Sequence, residues 1–326
     1  MAKTKGQKAV ERENARLVRE KKKQIEQANR MLIPVPKATA NSLRIVSFDP
    51  TGVFRFADGR WVKCYRIAGT EDISSLGEVI GALHSEVKLT KKLGLSNTQS
   101  FLTLTVEDQI YDEVRTNFSE DEATLRGHIN LIPLSVDEVM NIISEGRCNF
   151  NYASMVRGKK DWKEECFPII EAENSYFKMG ESYGESCFVM QFPEHVNADI
   201  IMQLAGFGCE IYLSINLRGI DELDMVDYNR ALEKRYNRRL TEESSSFMNQ
   251  SMQLVFLCDS DDARAIIEKT ILTLFSKAGY VISPAIGYQK AAVESALSLG
   301  IVNRKYMRNI STEAVNEFLG KEELWL

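Results

Sequence analysis

The spacing of hydrophobic and polar positions changes several times along the chain, and each change predicts an element. Residues 8 to 31 lack Pro and Gly and are rich in Lys, Arg, Glu and Gln, with Val18, Ile25, Ala28 and Leu32 forming a thin apolar stripe at helical spacing. This predicts a marginal helix, ended at LIPVPK, where Pro34 and Pro36 enforce extended backbone. From 44 to 67 the pattern becomes short alternations, RIVSF, VFRF and RWVKCYRI, with Asp58-Gly59 between the last two. Asp-Gly tolerates the positive φ of a tight hairpin turn, so this stretch predicts hairpins. A helix over about 72 to 93 is expected next. A strand follows at SFLTLTVE, where Phe101, Thr103 and Thr105 alternate with Leu102, Leu104 and Val106. Helices are expected near 108 to 117 and 135 to 145, and a loop through NYASMVRGKKDW.

The C-terminal half reads as strand SCFVMQF, a helix from Asn197 to about Ala205, strand CEIYLSINL, a long helical stretch over 220–249, strand SMQLVFLC, a helix over 260–277 and strand YVISPA. With the long helix set aside as an insertion, the order is βαββαβ, the split ferredoxin-like arrangement. A doubly wound parallel sheet is the competing topology, because strands and helices alternate throughout. The fold class expected is therefore α+β, with mixed or antiparallel sheets and a ferredoxin-like unit in the C-terminal half. The expected division is a basic helical arm and linker over 1–36, an N-terminal α+β domain over 37–175, the ferredoxin-like domain over 176–300 and a helical tail over 301–326. No internal repeat stands out.

Composition narrows the class without giving an activity. The chain has 326 residues, of which 44% are hydrophobic and 27% charged, too apolar for disorder and too charged for a membrane bundle. Residues 1 to 30 carry a charge of +6 and the remainder −11, so a basic arm joins an acidic body that disfavours broad contact with nucleic acid. The six cysteines, Cys64, Cys148, Cys166, Cys187, Cys209 and Cys258, include no CxxC pair, which reads as reduced and cytoplasmic. No run of about 18 uncharged apolar residues occurs, so no membrane-spanning segment is expected.

The chemical motifs mostly favour ordinary structural readings. No Gly-Lys is followed by Ser or Thr, which argues against a P-loop and against ATP hydrolysis or tight ATP binding by this chain. Gly180-Glu-Ser-Tyr-Gly184 matches GxSxG but lies between two strand-like segments, and no Asp separates Ser182 from His195, so a glycine-rich hairpin is the simpler reading. Gly206-Phe-Gly208 follows a helix and reads as its C-cap. His84, His128 and His195 have no ligand-spaced companions, so no metal or other cofactor is expected. Asp259-Ser260-Asp261-Asp262 precedes a helix and reads as its cap. The most suggestive charged feature is YNRALEKRYNRR. On a helix Arg230, Lys234 and Arg238 fall on one face, with Arg235 and Arg239 beside them and Tyr228 and Tyr236 interleaved. That face is a candidate interaction surface, weighed against a solvated face paired with the acidic body.

LIPVPKA, VFRFADGRWVKCYRIAG, FVMQFPEHVNADIIMQLAGFGCEIYLSINL, the charged stretch with YNRALEKRYNRR, and QLVFLCDSDDARAIIEKTILTLFSKAGYVISPAIGYQKAAVESALSLG together carry a family likeness. In order and spacing, over about 32 to 320, they resemble the N-terminal region of the conjugation and type IV secretion ATPases of the CagE/TrbE/VirB family. In that family the region precedes a motor domain bearing the Walker motifs, which this chain lacks. The resemblance implies a non-catalytic assembly and docking module of a bacterial mobile element's DNA-transfer apparatus. It would be cytoplasmic or peripheral at the inner face of the cell membrane. Its partners would be other type IV secretion components, including a separately encoded motor ATPase, and self-association is compatible with it. The alternative is a nucleic-acid-binding accessory protein that uses the basic arm and the 228–239 face.

Overall fold

The computed structural model describes residues 5–28, 33–34, 45–94, 98–144, 169–193, 199–220, 225–227, 230–231, 233–234, 247–297 and 304–321. It is an α+β structure built on one large antiparallel sheet. A polar helix, α1 (Lys5–Ala28), and a short strand, β1 (Ile33–Pro34), come first. Then come β2 (Ile45–Phe48), β3 (Val53–Phe56), β4 (Arg60–Thr70), α2 (Leu76–Gly81), β5 (Glu86–Leu93), β6 (Thr98–Glu107), α3 (Tyr111–Leu125), β7 (Ile129–Pro133) and α4 (Val136–Ile143). The second half runs β8 (Ile170–Ala172), β9 (Phe177–Met179), β10 (Ser182–Gln191), α5 (Asp199–Ala205), β11 (Glu210–Gly219), β12 (Phe247–Cys258), α6 (Asp261–Lys277), β13 (Val281–Pro284) and α7 (Gln289–Ala296). β14 (Arg308–Ser311) and α8 (Thr312–Leu319) follow.

These two series have the same plan, a relation the sequence does not disclose. In the first half the strands pair in the order β7-β4-β6-β5, and in the second in the order β13-β10-β12-β11. A short hairpin precedes each, with β3 on β4 and β9 on β10. The halves join edge to edge through β5 and β11, in register from Leu93 opposite Ile211 to Val87 opposite Leu217. Strand alternation sorts the side chains. Val87, Leu89, Leu102, Leu104, Leu213, Ile215, Leu254 and Phe256 face a shared core roofed by α2, α3, α5 and α6 through residues such as Ile80, Phe118, Ile201 and Phe275. On the other face α4 covers Phe54, Phe56 and Val62. There α7 covers Phe177, Val255 and Leu257.

Local signals explain several boundaries. Gly59 turns β3 into β4 at φ +93, a conformation that disfavours side chains with a Cβ. Ser135 and Glu138 form a reciprocal capping box at the start of α4. The Ser260 side chain accepts from the Ala263 amide, 3.2 Å away, at the start of α6.

The structure corrects several expectations. The helix expected over 72 to 93 is confined to α2, and residues 86–93 are β5 instead. The difference has a physical source. Lys88 and Thr90 look like a solvent face yet are buried, at 0% and 2% exposure. The helical stretch over 220–249 is overextended, because β12 begins at Phe247. Helical backbone occurs at 225–227, 230–231 and 233–234. NYASMVRGKKDW lies outside the described residues. In the C-terminal segment, β14 pairs with β12, and Val315, Phe318 and Leu319 of α8 enter the shared core. Asn316 fixes α8 to α2, accepting from the Gly77 amide at 2.6 Å and donating to Glu78 at 2.6 Å.

Candidate functional site

Register places the candidate basic surface. Gly219 sits opposite Met248, so β11 and β12 are close enough for a tight turn. Residues 220–246 intervene instead. At the same place in the first half, Leu93 of β5 and Thr98 of β6 are linked by residues 94–97 alone. Within the excursion Arg230 and Lys234 lie on helical backbone and are exposed. The Arg230 side chain is 73% exposed and 3.4 Å from Asp227, a pair worth little in stability. Arg235, Arg238, Arg239, Tyr228 and Tyr236 lie outside the described residues.

The root of the excursion borders a cleft of about 400 Å³, lined by Ser85, Glu86, Glu107, Arg218, Gly219 and Arg304 among others. Gly219 packs so closely on α2 that a Cβ there would stand 2.4 Å from the Gly81 carbonyl oxygen. Glu86 is the centre of the charge network. Its Oε1 takes Arg304 and, at 3.4 Å, Arg218, while Glu107 takes Arg304 at 2.7 Å. Among the described residues its Oε2 is buried without a hydrogen-bond partner. Burial opposes the Arg304 charge, but Glu86 and Glu107 outweigh it and hold the guanidinium above its ordinary pKa. At the cleft wall the Asp121 carboxylate accepts from the His84 amide at 3.0 Å and the Ser85 amide at 2.9 Å, anchoring the chain as it enters β5. Sequence reasoning misses this cleft, because it is assembled from well-separated segments with no common spacing.

Behind the cleft, the sheet face between α4 and α7 is polar and buried. Cys64, Thr103, Lys88, Asn216 and Ser251 form one rung across five strands. Thr90, Ser214 and Gln253 form the central part of the next rung. The Lys88 amine donates to the Ser295 carbonyl in the last turn of α7 at 2.8 Å. Asn216 donates to Ser251 at 3.0 Å. Burial pulls the Lys88 amine down to about 7 and pushes the Cys64 thiol up to about 12. Lys88 is at 0% exposure, and its bond to the Ser295 carbonyl ties the rung to α7.

The remaining motifs have structural roles or lie elsewhere. Gly180 adopts φ +64 in the β9–β10 turn, and Ser182 begins β10, while His195 lies outside the described residues. Gly208 adopts φ +70 after α5. Arg264 of α6 meets Glu185 and Asp261, each at 2.7 Å. Burial and the neighbouring Glu268 push the Glu185 carboxyl up to about 7 against the pull of Arg264. Among the described residues no three His, Cys, Asp or Glu side chains are disposed to hold a metal ion, and no helix is long and apolar enough to cross a membrane.

No family model matches the chain, and no curated protein matches it. Among solved structures it is similar to a xylooligosaccharide oxidase from Myceliophthora thermophila C1, at 10% identity over 86% of this chain and 55% of that one, with a TM-score of 0.31. The chain thus spans about half the length of the oxidase. A Fusobacterium nucleatum protein described as a putative monooxygenase aligns at 7% identity over 69% of this chain and 90% of that one, with a TM-score of 0.17. Likenesses at these TM-scores bear on neither fold nor activity.

Proposed function

We propose that the chain is a non-catalytic assembly module of a conjugative type IV secretion apparatus, docking on other components through the excursion between β11 and β12. The observation that carries this reading is the unequal connection. Two like-ordered halves need the same link, yet one has residues 94–97 and the other 220–246, with Arg230 and Lys234 exposed on it. A segment that pairing does not require, bearing exposed cations, is suited to contact with an acidic partner. The resemblance in segment order to the N-terminal region of the conjugation ATPases supports the choice of a conjugation apparatus. The antiparallel order β13-β10-β12-β11, with α5 and α6 in one core, supports a ferredoxin-like unit in the second half. The order β7-β4-β6-β5 supports a second such unit in the first half.

The test is quantitative binding of the purified chain to each purified component of such an apparatus, including the motor ATPase. The expected result is saturable binding to one component, weakened about tenfold or more in the Arg230→Glu/Lys234→Glu variant, with an unchanged melting temperature. Absence of binding to every component would remove this reading. Tight DNA binding that weakens linearly on a log–log plot as salt rises would replace it with the nucleic-acid accessory.

A further inference from the structure

The ends of β11 and β12 remote from the excursion bring two thiols together. β11 begins at Glu210, opposite Leu257, so Cys209, the residue before the strand, lies beside Cys258, the last residue of β12, and the two thiols are within hydrogen-bonding reach of each other. Both side chains belong to the same face, Cys258 buried in the shared core and Cys209 half-buried against it. Both are free thiols. Opposed Cα atoms in an antiparallel pair are about 4.5–5.5 Å apart, and thiols in contact at the end of such a pair are placed for a disulfide.

We propose that Cys209 and Cys258 form a reactive dithiol, oxidised by a low-molecular-weight disulfide to a cross-strand bridge that staples β11 to β12. The chemistry follows thiol–disulfide exchange. The thiolate of the pair attacks one sulfur of the reagent and expels one thiolate, which takes the proton of the second protein thiol. That second sulfur then attacks the protein sulfur of the mixed disulfide and expels the other reagent thiolate. Two protein sulfurs are oxidised and one reagent disulfide is reduced to one thiol and one thiolate. The local electrostatics agree. Hydrogen bonding from Cys209 draws the Cys258 thiol below its ordinary pKa, with Arg264 adding to the effect, while the same contact pushes Cys209 up. Cys64 and Cys187 behave in the opposite sense, since burial pushes both thiols up, and they serve as internal controls.

The test exposes the full chain to oxidised glutathione, alkylates the remaining thiols and maps linkages by mass spectrometry of a non-reducing digest. The expected result is a peptide pair joined through Cys209 and Cys258, two fewer alkylated thiols, and a melting temperature raised by roughly 5 °C on oxidation. The Cys209→Ser variant should lose both the linked pair and the shift. A lasting glutathione adduct on either cysteine without the link, a bridge to Cys148 or Cys166 instead, or full alkylation of both cysteines after exposure would each overturn the proposal. The wild-type digest decides the matter even if a variant is poorly folded.

Discussion

The first half joins its second and third strands with residues 94–97, and the second half joins the equivalent pair with residues 220–246. Everything that pairing and packing demand is satisfied by the shorter link. The core contributions of the halves are also alike, with two helices from each in one cluster. The difference teaches where the fold ends and added material begins. Architecture explains the strands, the roofing helices and the polar rungs, but it gives no reason for an exposed Arg230 and Lys234.

The comparison breaks most visibly at the joint. Ile215 of β11 stands opposite Leu89 of β5, and both are buried in the shared core. Ile215→Ala should cost about 2–5 kcal/mol. In urea unfolding followed by tryptophan fluorescence and circular dichroism, one transition should shift as a whole. Separate transitions would mean that the halves are energetically independent.

Gly219→Ala is the next largest. Its Cβ would fall 2.4 Å from the Gly81 carbonyl oxygen, backbone against backbone, so about 1–3 kcal/mol should be lost. Gly59→Ala meets nothing within 4 Å and is burdened only by its φ of +93, so its cost should be nearer 1 kcal/mol. Equal losses in chemical denaturation would remove the close contact at the root of the excursion.

Lys88 lies at the seam, and its pKa gives a signed pH effect. Burial lowers the amine from 10.5 to about 7 in the fold. Between those values the unfolded chain binds the extra proton, so stability rises with pH from about 7 upward. The contribution is up to about 1.4 kcal/mol per pH unit. The difference between wild type and Lys88→Met, measured at pH 7 and 8.5, should carry this slope, and a flat difference would show that Lys88 stays charged. The smallest effect concerns the helices of the opposite face. α4 begins at a capping box on Ser135, whereas α7 has no side-chain cap at Tyr288 and is held by Gln289, which accepts from the Ser186 amide at 2.8 Å. Ser135→Ala should therefore cost about 1 kcal/mol in the same assay.

Legibility in the sequence follows burial. VFRF and RWVKCYRI announce strands because apolar positions there alternate or run together over a buried face, and Asp58-Gly59 marks the turn. EVKLTKKL reads as helix although it is a strand, because its polar positions are covered by protein rather than water, which breaks the link between polarity and exposure. The repeated plan is invisible because the halves share pairing order while the excursion disrupts their spacing. Glu86, Arg218 and Arg304 meet only in three dimensions. Of the candidate basic face, Arg230 and Lys234 are legible as a helical surface, since periodicity in a charged segment needs no tertiary context.

The most direct test of the central claim replaces residues 221–245 with a short Gly-containing turn that copies the length of the first half's link. The account predicts a folded chain with one cooperative transition, its stability unchanged or raised by up to about 1.5 kcal/mol through the shorter loop, and no binding to the secretion component proposed as the wild-type partner. A chain that fails to fold, or one that folds and binds as well as wild type, would contradict it.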